Sequence, residues 1–172
     1  MPVQEQTNVV TMKGNPVTLM GQQVKVGQIA PECTLVANDL TEIKLSSFQG
    51  KKCILSVVPS LDTPVCDLQT KRFNQEAERL GKDFEILTIS MDLPFAQKRW
   101  CGATSSTKIR TLSDYRYASF GESFGILIKG LRLLTRSLFL IDENGKIQYK
   151  QIVSEITKEP DYNEALEAAK KI

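Results

Sequence analysis

Residues 57–73 read VVPSLDTPVCDLQTKRF. A β-branched apolar pair, Val57 and Val58, gives way at Pro59 to a turn and then to a pattern that winds into a helix. Thr63 suits the cap of that helix and Pro64 its first position, where a missing N–H is not needed. Gly81 is a natural C-terminal stop. At roughly 100° per residue, Cys66 lies close in azimuth to Phe73, Ala77 and Leu80, on the apolar side that faces a core. Residues 53–58 (CILSVV) before it and 84–90 (FEILTIS) after it are short β-rich apolar runs. Strand, helix and strand predict a parallel βαβ unit.

Working outward, residues 7–20 read as two short strands around a turn at Gly14-Asn15-Pro16, an N-terminal hairpin extension spanning 1–20. An extended stretch follows from Cys33 to Val36, with a turn at Asn38-Asp39. Asp92 and Pro94 open a second helical segment that runs through Trp100 and ends at Cys101-Gly102. Residues 103–135 hold a Ser/Thr-rich loop, a helix around Ala118 to Phe124 and an apolar stretch broken by Gly130. Residues 137–141 (SLFLI) form a strand, Asp142-Glu143-Asn144-Gly145 a hairpin turn, and Lys146 to Val153 the return strand. Asp161 with Glu164 resembles a capping box for a last helix ending at Lys170-Lys171. The expected fold class is α/β: one thioredoxin-like domain over 1–172, with a mixed central β-sheet flanked by helices.

Composition narrows the chemistry. The chain has 172 residues and no histidine. That excludes Cys–His and Ser–His–Asp catalysis and every His-ligated metal site. The four cysteines, Cys33, Cys53, Cys66 and Cys101, include no Cys-x-x-Cys pair, which argues against a zinc ribbon or a thioredoxin-type dithiol. A net charge of +2 without a basic stripe makes nucleic acid an unexpected partner. No apolar run approaches the ~18 residues of a membrane span, and the N-terminal stretch lacks the apolar core of a signal peptide. The expected location is the cytoplasm, where thiols stay reduced and a disulfide is transient and catalytic.

With Thr63 as cap, Cys66 is the third helical residue. The unpartnered N–H groups of the first turn and the positive end of the macrodipole favour a thiolate there, below the ~8.5 pKa of a free cysteine. Asp67 opposes that shift, and Arg136, just before the SLFLI strand, is the candidate cation that restores it. Against this stands simple packing: free cysteine is among the most buried residue types. Packing is the expected role of Cys33 and Cys53. Thr63 and Arg136 equally suit a plain cap and a surface residue.

The pattern Pro59-x-x-x-Thr63-x-x-Cys66 resembles the active-site motif of the peroxiredoxins. The longer string PSLDTPVCDLQTKRFN resembles their thiol peroxidase branch, the atypical two-cysteine enzymes. So do GNPVTL, CTLVANDL, DLPFAQKRWCGA, TRSLFLIDENG and EITKEPDYNEAL, which together cover almost the whole chain. The resemblance implies reduction of hydrogen peroxide and organic hydroperoxides without metal, haem, flavin or other cofactor. It implies that Cys66 is the peroxidatic cysteine and Cys101 the resolving cysteine of an intramolecular disulfide. Thr63 and Arg136 would hold the thiolate and the peroxide oxygens, and Pro59 would shield the sulfur from water. Thioredoxin is the implied reductant and a homodimer the implied assembly. Val57-Val58, Phe95 and Phe124 to Leu127 are expected to wall the site with apolar surface, favouring organic hydroperoxides. The competing readings are a peroxide sensor that passes its disulfide to a partner protein, and an inert thioredoxin-like binding module.

Overall fold

The computed structural model describes residues 2–172. The chain runs β1 (Glu5–Met12), β2 (Asn15–Met20), β3 (Thr34–Val36), β4 (Glu42–Lys44), a 3-10 turn (Leu45–Phe48), β5 (Lys52–Val57), α1 (Pro64–Leu80), β6 (Phe84–Ser90), α2 (Pro94–Thr104), β7 (Arg110–Ser113), α3 (Ser119–Phe124), β8 (Leu127–Ile128), β9 (Ser137–Ile141), β10 (Ile147–Ile152) and α4 (Tyr162–Ala169). Seven strands form one mixed sheet in the order β10-β9-β5-β6-β7-β3-β4. The predicted βαβ unit is its centre: β5 and β6 pair in parallel from Lys52↔Phe84 to Val57↔Ile89, and β7 extends the parallel set. β9 and β10 add antiparallel to the other edge of β5. This is the thioredoxin-like α/β fold. No described helix is long and apolar enough to cross a membrane.

Strand alternation divides the core in two. Leu55, Val57, Leu87, Ile89, Phe139 and Ile141 point to one face, under Phe48 of the 3-10 turn and Phe120 and Phe124 of α3. Ile54, Ile86, Leu138 and Leu140 point to the other, under Phe73 of α1 and Ala165 and Ala169 of α4. α4 starts at the expected cap, the Asp161 carboxylate accepting the Glu164 N–H at 2.9 Å.

Two boundaries differ from expectation. The first hairpin turns at Lys13-Gly14, both with positive φ (50° and 80°), and Asn15 and Pro16 already lie in β2. Two consecutive positive φ values make the tight turn that matches strand twist. Pro16 is tolerated because β8 pairs only with Leu19 and Met20, leaving Pro16 without a second neighbour. The other difference is α2, which continues past Cys101-Gly102 to Thr104. Its stop is Ser105, in the left-handed region at φ 54°, with the Ser106 N–H bonded to the Cys101 carbonyl at 3.2 Å. Cys101 is therefore inside the helix.

The hairpin does more than extend the N-terminus. With β8 it forms a separate three-stranded sheet. β1 also clasps residues 154–156: the Thr11 N–H bonds Ser154 O at 2.8 Å and the Ile156 N–H bonds Thr11 O at 2.9 Å. Ile156 is 3% exposed and packs with Val10, Leu19 and Ile128. Truncating it should loosen the clasp. Ile156→Ala is expected to lower unfolding free energy by about 2–5 kcal/mol in urea titrations; a loss below ~1 kcal/mol would mean the clasp contributes little.

Candidate active site

α1 begins where the sequence places it. Thr63 is extended (φ −125°, ψ 150°) and Pro64 is the first helical residue, so Cys66 is third. The Thr63 hydroxyl makes no cap bond, however. It donates to the Ser60 carbonyl at 2.9 Å, tightening the loop that leads into the helix. Pro59 in that loop is buried.

Cys66 is 0% exposed, in a small apolar cluster with Val58 and Leu61 against which Trp100 of α2 packs. It lies on the same side of α1 as Phe73 but in a separate cluster, so the sulfur is roofed by the 58–61 loop and by Trp100. Of the other residues expected to wall the site, Val57, Phe124 and Leu127 belong to the core on the opposite face of the sheet. Phe95 is 65% exposed. The resemblance had implied their nearness; for Val57 strand alternation turns the side chain away, because adjacent strand residues point to opposite faces.

The sulfur's polar partner is Arg136, whose Nη2 donates to Cys66 Sγ at 3.2 Å. Arg136 is itself 2% exposed. Its Nε donates to Ile156 O at 2.8 Å and its Nη1 to Gln69 Oε1 at 2.9 Å. Among the described residues it makes no ion pair with a carboxylate. Gln69 is one turn after Cys66, 0% exposed, and its Nε2 donates to Ser56 Oγ at 2.9 Å. Arg136 has only donors to give, which fixes the orientation of the amide: the oxygen faces the guanidinium and the NH2 faces Ser56. A neutral acceptor orients the guanidinium without neutralising it. Gln69 was not singled out in the sequence, although a polar residue on the buried face of an amphipathic helix is a readable signal.

Asp67, the expected opponent of a thiolate, is occupied elsewhere. It pairs with Lys71 at 2.7 Å, and Trp100 Nε1 donates to it at 2.9 Å. This ties the start of α1 to α2. Asp92 is a second missed residue. Its carboxylate accepts from Ser60 Oγ (2.7 Å), the Leu61 N–H (2.8 Å) and Ser90 Oγ (2.7 Å), which anchors the 59–63 loop to the end of β6. A cleft of about 220 Å³ opens beside it, lined by Leu61, Asp92, Arg99 and Trp100.

Cys101 is a free thiol, like the other three cysteines, and half-buried. Its sulfur meets Thr111 Oγ1 on β7 at 3.5 Å. The partners of the two sulfurs therefore hang from β7 and from the residue before β9. These strands are three places apart in the order β9-β5-β6-β7, about 14 Å at ~4.8 Å per strand. A disulfide needs Cα atoms within roughly 4.4–6.8 Å. The structure does not bring the two cysteines together.

Cys33 and Cys53 are each 2% exposed in the main core. Burial, then the carboxylates of Asp114 and Glu32, pushes the Cys33 thiol far up. Burial, then Glu85, pushes Cys53 up to about 12. Both are held as neutral thiols at physiological pH. Cys53 lines an apolar cleft of about 200 Å³ with Phe48 and Ile141, at the opposite end of β5 from Cys66. That cleft shares no residue with the Cys66–Arg136 cluster. Among the described residues no group of three or more Cys, Asp or Glu is placed to hold a metal ion.

The profile of the Redoxin family matches residues 25–166. Thiol peroxidase of Bacillus subtilis (strain 168) is 58% identical over 161 residues, 94% of this chain and 96% of that one. Thiol peroxidase of Staphylococcus saprophyticus is 52% identical over 163 residues, 95% and 98% of the two chains. Among solved structures, a peroxiredoxin-like protein from Aquifex aeolicus superposes with a TM-score of 0.89 at 40% identity, covering 99% of each chain.

Gln69→Glu tests the amide. A carboxylate there would pair with Arg136 and place a negative charge near the sulfur, disfavouring the thiolate that alkylating agents attack. Alkylation of Cys66 by iodoacetamide at pH 7 should slow about tenfold or more in the folded variant. An unchanged rate would show that the neutrality of Gln69 is irrelevant.

Proposed function

The chain belongs to the Redoxin family and is a thiol-dependent peroxidase, and from that premise we propose that Cys66 is the peroxidatic residue, supported by Arg136, Thr63 and Pro59, with Cys101 as the resolving residue. The observation that carries this reading is the buried 3.2 Å bond from Arg136 to Cys66 Sγ on the first turn of α1. Of the four cysteines, Cys66 has both a cation on its sulfur and a helix N-terminus beneath it.

In this reading the Cys66 thiolate attacks the terminal oxygen of ROOH. The O–O bond breaks, the sulfur becomes Cys66–SOH, and the departing RO⁻ takes a proton to leave as ROH. Thiolate is the required nucleophile. The guanidinium and the free N–H groups of the first turn are preorganised donors for the charge that spreads from sulfur to oxygen. The Thr63 hydroxyl, donating to Ser60 O, keeps lone pairs that accept a hydrogen bond from the O–H of the hydroperoxide. Buried Pro59 offers no N–H and excludes water from the sulfur.

Cys101 then displaces hydroxide from Cys66–SOH, and the proton it loses completes a water molecule. Both residues must leave their places to do so. The first turn of α1 and the C-terminal half of α2 unwind locally, at helix ends where few hydrogen bonds are lost. Unwinding also carries the disulfide outward, where thioredoxin attacks it. Exposed Leu93 and Phe95 at the start of α2 support a homodimer through that surface. A reducing compartment such as the cytoplasm suits the reduced Cys33 and Cys53.

With thioredoxin, thioredoxin reductase and NADPH, the protein should consume peroxide over many turnovers. A sensor would oxidise about once, and an inert module not at all. Cys101→Ser should keep the first oxidation, accumulate Cys66–SOH by mass spectrometry and lose steady turnover. Full turnover in that variant would remove Cys101 from the mechanism.

A further inference from the structure

Thr111 offers its hydroxyl to two partners. It donates to Asn38 Oδ1 at 3.0 Å and meets Cys101 Sγ at 3.5 Å. A threonine hydroxyl has one hydrogen to give. With that hydrogen on Asn38, Thr111 Oγ1 can only accept from Cys101, so Cys101 must supply an S–H. The arrangement is inside the protein: Thr111 is 3% exposed, on the sheet face under α2, and Asn38 follows β3, the strand beside β7. Three elements of the fold thus converge on the thiol of Cys101 in the reduced protein.

We propose that Asn38 and Thr111 form a latch that holds Cys101 as a hydrogen-bonded thiol on β7 and so sets how long the Cys66 sulfenic acid persists before it is resolved. The proposal rests on Cys101 being the resolving residue. Resolution requires Cys101 to give up its proton and move toward Cys66: the new S–S bond forms as the Cys66 S–O bond breaks, and the displaced hydroxide with the Cys101 proton leaves as water. A sulfur whose hydrogen is engaged by Thr111 must break that bond first. Asn38 tightens the latch by fixing the direction of the Thr111 hydroxyl. Thr111 and Asn38 are positioning residues, since neither touches the peroxide. The latch delays resolution without affecting the first oxidation, because the hydrogen bonds of Thr111 and Asn38 go to neither Cys66 nor Arg136.

A longer-lived sulfenic acid has a chemical consequence. It is exposed to a second peroxide, which converts it to the sulfinic acid. The latch therefore sets the peroxide concentration at which the enzyme inactivates itself.

The test uses the full chain with Thr111→Val, which keeps the β-branched shape and removes the hydroxyl, and Thr111→Ser, which keeps the hydroxyl. Trp100, the single tryptophan, packs on Cys66 and neighbours Cys101, so its stopped-flow fluorescence follows both steps. In Thr111→Val the second phase should accelerate roughly two- to tenfold, the factor one modest hydrogen bond is worth. The first phase should not change, and sulfinic acid should appear at higher peroxide than in the unmodified protein. Thr111→Ser should restore the slower phase, and Asn38→Ala should accelerate it partially. An unchanged or slower second phase in Thr111→Val, or the same acceleration in Thr111→Ser, overturns the latch. Peptide mass spectrometry of the oxidised protein separates the two failures. A Cys66–Cys101 disulfide with an unchanged rate rejects the latch alone. A disulfide that excludes Cys101 rejects the underlying assignment and the latch with it.

Discussion

A guanidinium with no carboxylate partner among the described residues is buried in this protein. Arg136 is 2% exposed, and its hydrogen bonds go to a carbonyl, an amide oxygen and a sulfur. An uncompensated buried charge destabilises a fold by several kcal/mol. Of its three partners, only Cys66 can take on a negative charge. In the proposed mechanism the guanidinium and the Cys66 sulfur therefore depend on each other, and removing either leaves the other buried without its partner.

Much of the architecture serves that pair. The βαβ unit puts the N-terminus of α1 over the C-terminal end of β5, and Arg136 enters from the start of β9, the neighbour of β5 on its other side. Gln69 connects the guanidinium to Ser56 on β5. The N-terminal hairpin acts from further away: β1 clasps residues 154–156, and the Ile156 carbonyl is what fixes the Nε edge of Arg136. The hairpin reads as an appendage in the sequence, yet in the structure it backs the segment that holds the Arg136 guanidinium. Asp92 and Asp67 do comparable work around the loop and Trp100, where the proposed opening starts.

The sequence was most legible where local rules decide the outcome. Thr63-Pro64 and Gly81 bounded α1, the turn at 142–145 located the β9–β10 hairpin, and Asp161 located α4. The core pattern of SLFLI and FEILTIS declared strands. Within residues 103–135 the helix at 118–124 was legible and is α3, but the strands were not, because long-range pairing defines them: β7 is four residues without clear alternation, and β8 is two residues completing a sheet begun at Glu5. α2 ran past its expected end because Gly102 adopts ordinary helical backbone, and a left-handed Ser105 is not a signal that composition reveals. At the site, the motif residues were readable but their partners were not. Gln69 and Asp92 look like ordinary polar residues until the fold brings Arg136 and Ser60 to them. Thr63 is the N-cap the sequence indicates, but its hydroxyl donates to Ser60 O and makes no bond to the first-turn N–H groups.

The central claim is that the buried charge of Arg136 drives the chemistry of Cys66. It is tested most directly by the second-order rate of the first oxidation, followed by Trp100 fluorescence, in the unmodified protein and in Arg136→Met. Methionine keeps an unbranched side chain and removes the charge, and circular dichroism verifies the fold. The account predicts a rate lower by about a hundredfold or more, the usual effect of losing one preorganised donor to developing charge. A folded Arg136→Met protein that oxidises within about twofold of the unmodified rate would contradict it.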